Sequence, residues 1–204
     1  MLYILDLLGV TIFAITGAIT AGRKRMDILG VVVVATVTAL GGGTCRDLVL
    51  GAPVFWVSNP LYIIVSTLAA LATFVYVYFG KPPLNTLLVG DAFGLAIFTI
   101  IGCQKAIQTG TSILIILVMG IMTGVTGGMI RDVLCGEIPL ILRREIYATA
   151  SLSGGLIFVI LSRLGFNESF VVIISVMTIL TVRLVSLWRH LSLPVYKESS
   201  EKKS

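Results

Sequence analysis

Apolar residues occupy this chain in long runs, separated by short segments that hold most of the polar positions. Seven runs can be drawn, at roughly 2–22, 28–50, 58–80, 85–104, 111–135, 146–164 and 169–188. Each is close to the 20 residues or so that an α-helix needs to cross a hydrocarbon core about 30 Å thick. A β-barrel also satisfies backbone groups in lipid, but its strands alternate polar and apolar positions. Stretches such as Ile28 to Ala35 and Ile113 to Met119 show no alternation. The pattern therefore predicts an all-α membrane protein of seven transmembrane helices.

Composition agrees with the pattern. Hydrophobic residues make up 57% of the 204 positions and charged residues 12%, about half the charged share of an ordinary soluble domain. Charge is also unevenly placed. Arg23, Lys24 and Arg25 separate the first two spans, Lys81 follows the third, Arg143 and Arg144 follow the fifth, and Arg189, Lys197, Lys202 and Lys203 follow the seventh. The alternate connections hold only Lys105 and Arg163. The positive-inside rule then puts the N-terminus outside and the C-terminus in the cytoplasm, in a multi-pass protein of the cell inner membrane. The net charge of +5 is accounted for by this topology, so no nucleic-acid partner is implied. No basic residue precedes the first run, so it is expected to be a retained span rather than a cleaved signal.

Two segments of the chain are copies of each other. Residues 6–80 and 91–165 superimpose at a constant offset of 85 without a gap. Asp6, Gly9, Phe13, Gly17 and Thr38 fall on Asp91, Gly94, Phe98, Gly102 and Thr123, and Gly51, Tyr62 and Ser66 fall on Gly136, Tyr147 and Ser151. Three crossings per copy is an odd number, so the second copy enters from the opposite side, giving two inverted three-helix repeats plus a seventh helix at about 169–190. The expected organisation is one transmembrane domain over residues 1–193, with 194–204 as a disordered cytoplasmic tail.

The strongest match between the copies carries chemistry. Gly41-Gly42-Gly43-Thr44-Cys45-Arg46-Asp47 aligns with Thr126-Gly127-Gly128-Met129-Ile130-Arg131-Asp132, placing Gly-Gly-x-x-Arg-Asp inside the second and fifth spans. Glycines in a span mark either close helix packing or a break in the helix. A break would free the carbonyls one turn earlier, near Thr38 and Thr123, to take part of a cation's hydration shell. An Arg or Asp at the centre of a span costs about 2.5–3.5 kcal/mol on insertion scales, so Arg46, Asp47, Arg131 and Asp132 are expected to form a buried charge network. Adjacent helical residues point about 100° apart, which predicts that each Arg finds its partner elsewhere, across the axis between the halves.

Paired glycine and Arg-Asp motifs in two three-helix repeats followed by a seventh helix resemble the trimeric intracellular cation (TRIC) channel family, in its prokaryotic branch. The resemblance covers nearly the whole chain. It implies a homotrimer embedded among membrane lipids, each protomer with its own pore for monovalent cations, chiefly potassium. It also implies second and fifth helices kinked at Gly41, Gly42, Gly43, Gly127 and Gly128. Sequences of this family also carry the description of a glycine transporter, so a secondary transporter of a small amino acid such as glycine stands as the alternative.

Other features carry less. Asp6 and Asp91 are expected either to cap the first and fourth spans or to draw cations to a pore mouth, with Lys105 beside it. Tyr62 with Ser66 and Tyr147 with Ser151 share helix faces, and either bond the buried charges or anchor at an interface. Arg183 is expected to snorkel to the surface from the seventh span. His190 is the single histidine, and Cys45, Cys103 and Cys135 form no Cys-x-x-Cys pair. No resident metal, cofactor or enzymatic constellation follows; K+ or Na+ would only pass through.

Overall fold

The computed structural model describes residues 2–80, 85–143, 146–189 and 191. Lys81, Arg144, His190 and the expected tail at 194–204, with its lysines, lie outside the described residues. The described chain is helical. Its elements are α1 (Leu2–Arg23), α2 (Ile28–Val49), a short α3 (Phe55–Ser58), α4 (Leu61–Phe79), α5 (Thr86–Gln108), α6 (Ile113–Leu134), a 3-10 turn at Leu140–Leu142, α7 (Ala148–Arg163) and α8 (Glu168–Trp188).

Among the described residues, six helices are long and apolar enough to cross a membrane, namely α1, α2, α4, α5, α6 and α8. The expected sixth crossing is α7, an apolar helix of 16 residues. At 1.5 Å per residue it spans about 24 Å, less than a full hydrocarbon core. Large apolar side chains face outward along these helices, among them Leu29, Leu68 and Phe79. In water such a surface would be a liability, whereas in lipid it is the solvated face.

Each half has its own core. Val10, Phe13, Val31, Val34, Ala39, Tyr62 and Ala70 pack together from α1, α2 and α4. Leu95, Ile100, Ile116, Tyr147, Phe158, Val171 and Ile179 do so from α5 to α8. The halves meet where α2 lies against α6 and α1 against α5. Phe13 and Phe98, equivalent under the offset, pack there with tilted rings, centroids 5.1 Å apart. Phe13 covers Gly94, and Phe98 covers Gly9, where an added methyl would lie 3.1 Å from the ring.

At the crossing of α2 and α6 the motif glycines of the two halves come together. Both run as unbroken α-helix through their glycines. The glycines act there by close approach. A methyl at Gly42 would collide with the carbonyl oxygen of Thr123, and one at Gly127 with that of Thr38. Bare Cα positions let the two backbones touch, as small residues do at helix interfaces in lipid.

Candidate functional site

The Arg-Asp pairs close the C-terminal ends of α2 and α6, next to this crossing. Arg46 Nε donates to Asp47 Oδ1 at 2.8 Å, and Arg131 Nε to Asp132 Oδ1 at 2.9 Å. Neighbouring residues therefore do pair, against expectation. The 100° between them is bridged because Arg is long enough for its Nε to fold back over the helix end.

The other oxygen of each Asp has a second task. Asp47 Oδ2 accepts from the Phe55 amide at 2.9 Å, and Asp132 Oδ2 from the Leu140 amide at 3.0 Å. Phe55 and Leu140 are themselves equivalent under the 85-residue offset. Between Asp and capped amide the chain turns at Gly51 (φ 64°) and Gly136 (φ 67°), a left-handed conformation that glycine adopts without steric cost. The Ala52 and Glu137 amides donate back to the Asp47 and Asp132 carbonyls, each at 2.8 Å. The duplicated unit is thus a hairpin clamp, in which one carboxylate holds the arginine and the returning chain together. Buried main-chain N–H groups outside a helix need such acceptors in lipid.

Beyond the clamp the halves differ. Arg131 Nη1 donates to Asp91 Oδ1 at 3.0 Å and to Thr16 Oγ1 at 3.2 Å. Arg131 and Asp91 are fully buried, and Asp132 nearly so. Among the described residues, this arginine reaches across the axis only to the Thr16 hydroxyl; both its carboxylates come from its own half, which corrects the expected exchange between halves. The Tyr147 hydroxyl turns toward the same Asp91 carboxylate. Arg183 of α8 lies over the Tyr147 ring, 4.8 Å from its centroid, and approaches the Ile146 carbonyl at 3.5 Å. It is fully buried rather than snorkelling. A guanidinium on an aromatic face gains from the ring quadrupole most when both are desolvated.

In the first half Arg46 is bound to Asp47 and sits 5.7 Å from the centre of the Phe55 ring. Asp6 accepts from the Tyr62 hydroxyl at 2.9 Å and makes no hydrogen bond with Arg46. Asp6 and Asp91 both lie inside their helices, past the first turn, so neither is a cap. The tyrosines bond or face carboxylates as one of the two expectations had it, while Ser66 bonds its own helix and Ser151 pairs with Thr99 at 2.7 Å. Thr38 and Thr123 hydroxyls return to the Val34 and Met119 carbonyls, each at 2.6 Å, which occupies their protons and leaves lone pairs. Lys105 lies in the last turn of α5, half-buried.

Phe55, Leu140 and Thr16 were not singled out from the sequence. The glycine four residues after each Asp was the available signal for the clamp, because it marks a turn back toward the carboxylate. Thr16 had no such signal, since its equivalent is Ile101.

Comparisons with known proteins agree with this architecture. A family model described as "Glycine transporter" matches residues 3–78 and again 88–163, in the register of the internal repeat. The chain is 43% identical to a UPF0126 membrane protein of Vibrio cholerae over 96% of its length and 83% of that protein's. It is 44% identical to the UPF0126 inner membrane protein YadS of Escherichia coli K12, over 96% of each chain. Among solved structures, the TRIC trimeric intracellular cation channel orthologue of Rhodobacter sphaeroides aligns with a TM-score of 0.89 at 42% identity, covering 93% of this chain and 98% of that one. Taken with the doubled Arg-Asp clamp and the α2–α6 crossing, these matches establish that the chain is a multi-pass membrane protein of the prokaryotic TRIC channel family, to which the glycine transporter model also corresponds.

Proposed function

We propose that this protein is a potassium-permeable, monovalent-cation channel with one pathway in each protomer, running along the crossing of α2 and α6. The observation that carries the reading is 42% identity, over nearly the full length of both chains, to a solved trimeric cation channel. The physical arrangement supports it. Gly41, Gly42, Gly43, Gly127 and Gly128 bring two backbones together between clamped arginines, and Thr38 and Thr123 oxygens flank that crossing. The charged groups Arg46, Asp47, Arg131 and Asp132 hold this region in register at the two helix ends, with Asp6 and Lys105 nearer the openings.

The inverted orientation of the halves belongs to the same proposal. Lys24 and Glu137 meet at 2.6 Å, Tyr3 and Asn59 at 3.2 Å, and Gln104 and Glu168 at 3.3 Å. Each pair joins helix ends or connections that alternating crossings would put on one side of a membrane. With the positive-inside rule, the N-terminus lies outside and the C-terminus in the cytoplasm. The working form is a homotrimer in the inner membrane, one transmembrane domain over residues 1–193 with a short cytoplasmic tail, and no cofactor is required.

The family model's description favours a second reading, a carrier of glycine. Planar-bilayer recording on the purified protein separates the two. Unitary currents reversing near the potassium equilibrium potential under a KCl gradient support the channel, and replacing potassium by sodium then sets the selectivity. Absence of unitary current together with saturable glycine uptake into liposomes would replace it with the carrier.

A further inference from the structure

The space over the second motif glycine is filled differently in the two halves. A methyl added at Gly43 would run into the Phe55 ring, whereas one added at Gly128 would meet Asp91 Oδ1 at 3.0 Å and Arg131 Nη2 at 3.5 Å. One module thus appears twice in the same molecule, once holding a phenyl ring at this spot and once holding an ion pair. Position 55 maps onto Leu140, whose side chain has no ring. The Phe55 ring also packs edge-on against Tyr62, centroids 4.7 Å apart, and Tyr62 holds Asp6. The ring therefore stands among Arg46, Gly43 and the tyrosine bound to Asp6.

We propose that Phe55 is a positioning residue that keeps the Arg46 guanidinium off Asp6, and that the Asp6 carboxylate is a second seat for Arg46. The second half supplies the geometry of that state. Arg131 keeps its Nε on Asp132 while its Nη1 takes Asp91. Arg46 needs only the same division of labour, Nε staying on Asp47 while the Nη end turns to Asp6. Tyr62 engages Asp6 Oδ2, which leaves Oδ1 as an acceptor. Arg46 is already near enough to act electrostatically on Asp6. Thr16, which gives Arg131 an additional acceptor, corresponds to Ile101; among the described residues Arg131 has three hydrogen-bond acceptors where Arg46 has one, Asp47. Resting on the channel reading, this makes Arg46 the movable charge of the pathway and Arg131 the fixed one.

The test is Phe55→Leu, alone and combined with Asp6→Asn. Leucine copies position 140 and preserves the backbone amide that binds Asp47. A structure of the variant in lipid nanodiscs is expected to show an Arg46 Nη within hydrogen-bond distance of the Asp6 carboxylate. Unitary cation current is expected to fall by roughly twofold or more, the lower bound for coupling between groups in contact, and Phe55→Leu should have no such effect once Asp6 is Asn. Arg46 remaining on Asp47 alone in that structure would overturn the proposal, as would a current change that persists undiminished in the Asp6→Asn background. Phe55→Met removes the ring at similar volume and serves if the leucine variant does not assemble. If no form of the protein conducts, the channel reading falls, while the variant's structure still decides the pairing.

Discussion

Asp91→Asn is expected to be a damaging change in the membrane interior, and the equivalent change, Asp6→Asn, a mild one. Asp91 and its partner Arg131 are both fully shielded from solvent, joined at 3.0 Å. Asp91→Asn removes one of the two carboxylates on Arg131 and leaves Asp132 in place, so the cost is that of a charge-assisted hydrogen bond, about 1.5–3 kcal/mol. Asn preserves shape and an acceptor oxygen, so the loss is electrostatic rather than steric. For a chain of this size each kcal/mol moves the thermal midpoint by about 2–4 °C, which gives a drop of about 3–12 °C. Asp6 is half-buried, and among the described residues its hydrogen bond comes from the neutral Tyr62 hydroxyl at 2.9 Å. Asn still accepts that bond, so the loss stays below about 1.5 kcal/mol, in the range of an ordinary hydrogen bond. Thermal unfolding of the two variants in the same detergent, followed by size-exclusion survival, measures both. Equal shifts, or a larger one for Asp6→Asn, would refute the assignment of Arg131 as the buried, fixed charge.

Other consequences of the structure are testable in the same preparations. Gly42→Ala, and likewise Gly127→Ala, places a methyl against a backbone carbonyl that cannot move aside, and is expected to cost about 3 kcal/mol or more and to lower the yield of assembled protein. Gly41→Ala meets only the flexible end of Ile130 at 2.9 Å and should stay within about 1 kcal/mol of the parent. Glu137, between Lys24 and Arg143, has its carboxyl held below its ordinary value, first by the Lys24 hydrogen bond and charge. A depressed acid stabilises the folded state above its unfolded pKa and loses that contribution as pH falls through the folded value. The difference in thermal midpoint between parent and Glu137→Gln is therefore expected at neutral pH, to shrink below about pH 4.5, and to shrink also in high salt.

Span positions and the repeat were readable because both are properties of pattern: helices of membrane length need continuous apolar runs, and a gapless offset survives without any knowledge of contacts. The glycines were recognisable as special, but not their task. A Gly-Gly pair in a span is compatible with a bend in the helix or with a close crossing, and only the position of Thr123 and Thr38 opposite Gly42 and Gly127 reveals the crossing. The Arg-Asp pairing was misread for a related reason. Helical geometry fixes where Cβ points, whereas Arg46 and Arg131 act through an Nε four bonds beyond Cα. Long side chains at a helix end escape the face rules that hold for short ones. Asp91 joining Arg131 while Asp6 does not join Arg46 lay beyond reach of the repeat itself, since the same two residue types stand at the same two positions in each half.

The α2–α6 crossing has one more property. Residue 42 meets residue 123 while residue 127 meets residue 38, so each half offers the other the same glycine and receives the same carbonyl. A patch that matches itself in this way is isologous, the kind of contact two identical chains make about a two-fold axis. A free three-helix unit carrying this sequence would already possess the surface needed to bind its own copy in antiparallel, two-fold fashion, so fusion of two genes would preserve an existing dimer contact rather than invent one. Such an ancestry also explains why the tolerance for difference lies elsewhere: Phe55 opposite Leu140, Thr16 opposite Ile101 and the unrepeated α8 all sit off the self-matching patch, where one copy could change without its twin having to follow.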